Sequence, residues 1–203
     1  MTKIKDLPVG ENPWVTHDRV HAFDNPWLTV FDEPVTQPNG APGRYGRVHF
    51  KNWAVGVLPV DAQGRVPLVG QWRYPLGRYS WELPEGGGAR NVDPLDTAKR
   101  ELKEETGLLA ASWRPLCGFD VSNSVTDEEA ICFFATDLTQ SDMAPDETEV
   151  LEVQWVAFAD LLDGVISGHI RDSLTIVMTW MGAHLARSGA LDAGLSQAML
   201  GGE

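Results

Sequence analysis

Pro84-Glu85-Gly86-Gly87-Gly88-Ala89-Arg90-Asn91-Val92, followed directly by Asp93-Pro94-Leu95-Asp96-Thr97-Ala98-Lys99-Arg100-Glu101-Leu102-Lys103-Glu104-Glu105-Thr106-Gly107, decides the reading of this chain. Three consecutive glycines predict a loop, because glycine weakens helix and strand interiors. Asp93-Pro94 predicts a helix start: Asp accepts hydrogen bonds from the free N–H groups of a first turn, and Pro suits the first helical position. Gly107 ends that helix as its left-handed cap. Three carboxylates, Glu101, Glu104 and Glu105, fall in its final turns, where the helix dipole disfavours each by about 0.3–1 kcal/mol at exposed positions. At about 100° per residue they share one face and repel one another. Leu95, Ala98 and Leu102 form an adjacent apolar stripe that packs on a sheet. Solvated surface glutamates, with Arg100 and Glu104 paired at i, i+4, are one account of this cluster. The other is a site for a hard divalent cation, Mg²⁺ or Mn²⁺, which takes oxygen ligands from carboxylates and from loop carbonyls. The glycine cluster beside the helix favours the cation.

Outward from this segment the pattern is strand-rich. Trp27 to Phe31 and Tyr45 to Trp53 are β-branched or aromatic runs separated by turn signals at Asp24-Asn25-Pro26 and Gln37-Pro38-Asn39-Gly40. Ala54 to Val60 and Arg65 to Gln71 flank Asp61-Ala62-Gln63-Gly64 and predict a hairpin. Further strands are expected at Tyr79 to Leu83, Trp113 to Val121, Ala130 to Leu138 and Leu151 to Ala157. Helices are expected at Ala159 to Val165 and Arg171 to Arg187. The order of elements predicts an α+β layered domain with a β-rich N-terminal annex. The divisions expected are residues 1–45 as leader and annex, 46–187 as the main domain, and 188–203 as a flexible tail.

The 203 residues suit one large domain with a small annex, and 43% hydrophobic against 22% charged residues is the profile of a folded globule. With 29 acidic and 16 basic residues the formal charge is −13, which disfavours nucleic acid and anionic membrane surfaces as partners. A phosphate-bearing ligand therefore needs a local exception, and a bound cation provides one. Cys117 and Cys132 lack metal-type spacing and are read as core thiols of a reducing compartment. No apolar run approaches the roughly 20 residues that span a bilayer, and the N-terminus lacks the apolar core of a secretion signal, so a cytoplasmic protein is expected. His17, His21, His49, His169 and His184 show no ligand spacing, and no serine has the context of a nucleophile elbow.

Gly86, five residues, Val92, then Arg100-Glu101-Leu102-Lys103-Glu104-Glu105-Thr106-Gly107-Leu108 resembles the signature of the Nudix hydrolases, with Val92 standing where the family pattern has glutamate. Gln71-Trp72-Arg73-Tyr74-Pro75, Trp81-Glu82-Leu83-Pro84-Glu85-Gly86 and the upstream Asn25-Pro26-Trp27-Leu28-Thr29-Val30 are similar to the ADP-ribose pyrophosphatase branch, which also acts on other nucleoside diphosphate sugars. The resemblance implies a Nudix α/β/α sandwich with a mixed sheet, plus an N-terminal antiparallel sheet that mediates a homodimer. It implies hydrolysis of the pyrophosphate bond of ADP-ribose or a related sugar to a nucleoside monophosphate and a sugar phosphate. GDP-mannose or UDP-glucose as substrate, coenzyme A or a dinucleoside polyphosphate, and a catalytically silent nucleotide-binding module are the alternatives. The missing proline in Ser122-Asn123-Ser124-Val125-Thr126-Asp127-Glu128 departs from ADP-ribose-selective members.

By motif position the resemblance makes Glu101 and Glu105 the principal metal ligands and Glu104 a third ligand or an orienter of water. The Glu85 carbonyl is its backbone ligand. Arg73 is the candidate for gripping a phosphate, or else a surface salt bridge. Glu82 contributes to the substrate pocket or is a packed, paired glutamate. The base that deprotonates the attacking water is expected in the downstream acidic loop, at Glu149 or Glu147. Trp27, Phe23 and Phe31 can stack a purine, with packing the commoner use of such rings.

Overall fold

The computed structural model describes residues 3–142 and 150–201. By contacts the chain divides into Met1–Lys51 with Ser124–Asp127, and Asn52–Asn123 with Glu128–Glu203.

The first unit is an antiparallel sheet of β1 (Val15–Thr16), β2 (Val20–Asp24), β3 (Leu28–Thr36) and β4 (Pro42–Phe50), with β3 pairing all three others. Residues along β3 alternate between half-buried and buried, as a sheet with one covered face requires. Glu33 on the covered face is neutralised by Arg19 at 2.6 Å, with Arg47 at 3.6 Å. Phe31 is buried beneath Arg19, Arg47 and the edge of His21, whereas Phe23 and Trp27 are exposed. The Ser124–Asp127 segment is pinned to β4: Asp127 accepts from the Phe50 N–H at 2.9 Å and meets Arg47 at 3.0 Å and His49 at 2.7 Å.

The second unit contains β5 (Asn52–Pro59), β6 (Arg65–Arg73), β7 (Arg78–Glu82), β8 (Glu85–Ala89), α1 (Pro94–Thr106), β9 (Leu108–Asp120), β10 (Glu129–Gln140), β11 (Glu152–Ala157), α2 (Phe158–Ile166), α3 (Ser173–Arg187) and α4 (Ala193–Leu200). A mixed sheet runs β8-β5-β10-β9, with the β5–β10 pair parallel, and a second, antiparallel sheet runs β11-β6-β7. On one face of the mixed sheet Ala98 and Leu102 of α1 pack with Val55, Val57 and Phe133. On the other, Leu174 and Met178 of α3 pack with Leu58, Cys132 and Phe134, joined by Val66 and Leu68 of the second sheet. This is the α+β architecture expected: a mixed sheet between helices in one unit, and an antiparallel sheet in the other.

Three local expectations change. The glycine cluster is not a loop but the edge strand β8, paired with β5 from Asn52↔Ala89 to Gly56↔Glu85. Glycine belongs there because another element lies directly against the strand. Asp61 does organise the predicted turn, accepting from the N–H groups of Gln63 at 2.9 Å and Arg65 at 2.8 Å. Yet β5 and β6 form no hairpin ladder; the chain crosses there from one sheet to the other, β5 pairing with β8 and β10 and β6 with β7 and β11. The expected flexible tail carries α4, capped by the Asp192 side chain, and Met199 within it is fully buried in the core.

Candidate active site

The site is built by the way α1 lies on β8. Asp93 caps the helix by accepting from the Leu95 N–H at 2.9 Å, and Gly107 closes it in the left-handed region at φ 68°. Thr97, Glu101 and Glu105, four residues apart, line the helix stripe that faces the strand. A Cβ on Gly88 would lie 2.5 Å from the Thr97 Oγ1, and one on Gly86 would lie 2.2 Å from the Glu101 carboxyl carbon. At the third contact the Glu85 N–H donates to Glu105 Oε2 at 3.0 Å. The glycines thus let the backbone of β8 approach the helix closely enough to seat two carboxylates. Val92, at the motif's glutamate position, is exposed and takes no part in this mounting.

Glu101 and Glu105 are buried and Glu104 is partly exposed. Arg100 stands among them, its Nη2 donating to Glu101 Oε1 at 2.6 Å and to the Gly87 carbonyl at 3.0 Å, its Nη1 to Glu104 Oε2 at 2.5 Å. The i, i+4 pair anticipated as the surface account is therefore present, but it is one edge of a bridge that reaches a buried carboxylate. Burial works against the Arg100 charge, and the two glutamates outweigh it and hold its pKa above the ordinary value. Among the described residues no three His, Cys, Asp or Glu side chains converge on one point as a finished cation cage. The donor set is nonetheless that of a hard cation: carboxylates on one helix face beside the carbonyls of a glycine strand.

A second charged cluster adjoins the first. Arg73, at the end of β6, donates from Nε to both oxygens of Glu82 at 3.0 Å and from Nη2 to Glu82 and, at 3.2 Å, to Glu85 Oε1. Glu82 is 2% exposed and paired with Arg73. Burial opposes the charge on Arg73, but the Glu82 hydrogen bonds and the charges of Glu82, Glu85 and Asp172 raise its pKa overall. Glu85 is the opposite case. Desolvation pushes its pKa well up, Asp172 and Glu82 add to this, and Arg73 opposes it. Its Oε2 is buried, and Asp172 is the carboxylate that faces it.

The structure thus brings Glu101, Glu104 and Glu105 together on α1, links Glu105 to Glu85, and joins Glu85 to Arg73 and Glu82. Glu147 and Glu149 lie outside the described residues. Sequence reasoning missed Asp172, which caps α3 by accepting from the Thr175 N–H at 2.7 Å and presses on Glu85. Its capping role is legible in Asp172-Ser173-Leu174-Thr175, but its nearness to Glu85, 87 residues away, has no local signal.

The sequence pattern of the NUDIX domain matches residues 51–173. The chain is 34% identical over 155 residues to an ADP-ribose pyrophosphatase of Bacillus subtilis, covering 75% of this chain and 83% of that one. It is 34% identical over 126 residues to an ADP-ribose pyrophosphatase of Mycobacterium tuberculosis, covering 61% of each chain. The fold is that of the crystal structure of an ADP compounds hydrolase, with a TM-score of 0.79 at 18% identity, over 91% of this chain and 100% of the other.

Proposed function

The chain belongs to the NUDIX family as a Nudix pyrophosphohydrolase, and we propose that its reaction is the hydrolysis of the pyrophosphate bond of ADP-ribose or a closely related nucleoside diphosphate sugar. The products are a nucleoside monophosphate and a sugar phosphate. One observation carries the reading: two buried carboxylates, Glu101 and Glu105, are held at the C-terminal end of a helix against a strand crowded at Gly86 and Gly88. Burying carboxylates that repel one another is unfavourable unless positive charge meets them; Arg100 meets Glu101 and Glu104, and a divalent cation would add to it.

Glu101, Glu105 and Glu104, with the carbonyl of Glu85, would hold Mg²⁺ or Mn²⁺. The ion supplies neutralisation of charge on the phosphate oxygens. Glu105 Oε2 is oriented by the Glu85 N–H at 3.0 Å. Glu82 and Glu85 fix the Nε edge of Arg73, and Arg73 Nη1, which takes no partner among the described residues, remains to face a phosphate. Glu149, with Glu147 in reserve, is assigned as the base that takes the proton of the attacking water. We assign the annex to a homodimer contact, supported by the exposed Trp14, Val15, Phe23 and Trp27 on its surface. A cytoplasmic setting fits the free Cys117 and Cys132 and the absence, among the described residues, of any helix long and apolar enough to cross a membrane.

The test is a panel of nucleoside diphosphate sugars with Mg²⁺ or Mn²⁺, read by release of the monophosphate. Release from ADP-ribose or a near relative is expected, and oxygen-18 water then marks the phosphorus attacked. Metal-dependent binding without release would replace this reading with the silent binding module.

A further inference from the structure

Arg73 and Arg78 are directly opposed in the β6–β7 ladder, and the pairs Gln71↔Ser80 and Val69↔Glu82 follow in the same register. Opposed residues share a face and faces alternate. Arg78 therefore lies on the face that carries Arg73, Gln71, Ser80 and Glu82, about 13 Å along the strand from Glu82 at the usual rise. Gly77 fixes it there: its left-handed backbone at φ 60° and its N–H, which donates to the Arg73 carbonyl at 3.0 Å, close the turn between the two strands.

The two arginines differ in what they hold. Arg73 is committed to Glu82 and Glu85. Arg78 is half-buried and has no ion pair or hydrogen bond among the described residues, in a chain where acidic residues outnumber basic ones 29 to 16. Like charges opposed across a ladder are unfavourable, and among the described residues no carboxylate pairs with the Arg78 side chain to offset this. An anion between the pair relieves that opposition. A guanidinium also presents two parallel donors to phosphate oxygens.

We propose that Arg78 is a substrate-binding residue that contacts the diphosphate of the nucleotide, acting beside an Arg73 whose orientation Glu82 and Glu85 set. This rests on the pyrophosphohydrolase reading of the same site. It places the specificity for a doubly charged phosphate group on β7.

The experiment compares the full-length protein with Arg78→Gln and Arg78→Lys, with Arg114→Gln as a distant control. ADP binding is measured by calorimetry, and KM and kcat are measured on ADP-ribose with Mg²⁺. For Arg78→Gln the dissociation constant for ADP and the KM should each rise about tenfold or more, the loss of one charge-assisted contact, with kcat changed little. Arg78→Lys should recover part of the loss, the salt dependence of binding should weaken in Arg78→Gln, and Arg114→Gln should bind as the parent does. An unchanged affinity for ADP in Arg78→Gln, at an unchanged melting temperature, overturns the proposal. The calorimetric arm involves no turnover, so a parent protein that binds ADP but releases no monophosphate defeats the hydrolase reading and leaves the Arg78 comparison decisive.

Discussion

Gly86 shows how little space separates strand from helix at this site. A methyl group there would sit 2.2 Å from the carboxyl of Glu101, so Gly86→Ala must displace either that carboxylate or the helix. Overpacking of this kind destabilises by about 1–3 kcal/mol. If Glu101 is the group that gives way, a modest drop in the melting temperature should accompany a much larger loss of hydrolysis; a variant with full activity would mean the close approach has no functional consequence. The same reasoning explains why the glycine cluster misleads when read locally. Glycine's propensity argues against a strand, and only the position of Thr97 and Glu101 on another element reveals that the missing side chains, and not backbone freedom, are what Gly86 and Gly88 contribute.

At the scale of elements, the bounds and caps of α1 were legible, because Asp93, Pro94, the apolar stripe and Gly107 are all short-range signals. Three things were not: the crossing of the chain between sheets after β5, the docking of α4, and the meeting of Asp172 with Glu85. Each depends on contacts between residues far apart in sequence. Met199 is the sharpest of these cases, fully buried in a segment rich in small residues. Met199→Ala should destabilise the protein by about 2–5 kcal/mol, as other large-to-small core changes do, and chemical denaturation will measure it. A change near zero would return the tail to a frayed state.

Asp127 sets the behaviour of the Ser124–Asp127 segment with acid. Burial works against its charge, but hydrogen bonds from His49 and from the Phe50 N–H, with the charges of His49 and Arg47, bring its pKa below the ordinary 3.8. A carboxylate with a lowered folded pKa lends stability above its unfolded value and loses it as pH falls through the folded one. Asp127→Asn should therefore melt below the parent at pH 7, and the gap should begin to narrow near pH 3.8 and close only as pH falls through the lowered folded value. A gap that persists at the lowest pH would show that the segment is held by something other than this charge.

For the molecule as a whole, an excess of 13 negative charges and a polyphosphate substrate are reconciled only if positive charge is concentrated at one place. The chain places Arg73 on Glu85 and Arg100 on Gly87 and Glu101 at the α1–β8 contact, and a divalent ion on Glu101, Glu104 and Glu105 would supply the remainder. Family and branch were legible because the motif residues are contiguous. The partnerships that set each charge, Arg100 across two glutamates and Arg73 between Glu82 and Glu85, are tertiary and became visible only in the fold. The most direct test is monophosphate release from ADP-ribose as Mg²⁺ is titrated into chelator-treated protein, for the parent and for Glu105→Gln. The account predicts a parent rate that rises from near zero to saturation, and a loss of about a hundredfold or more in the variant at saturating metal. Equal release in chelator and in Mg²⁺, or a fully active Glu105→Gln, would contradict it.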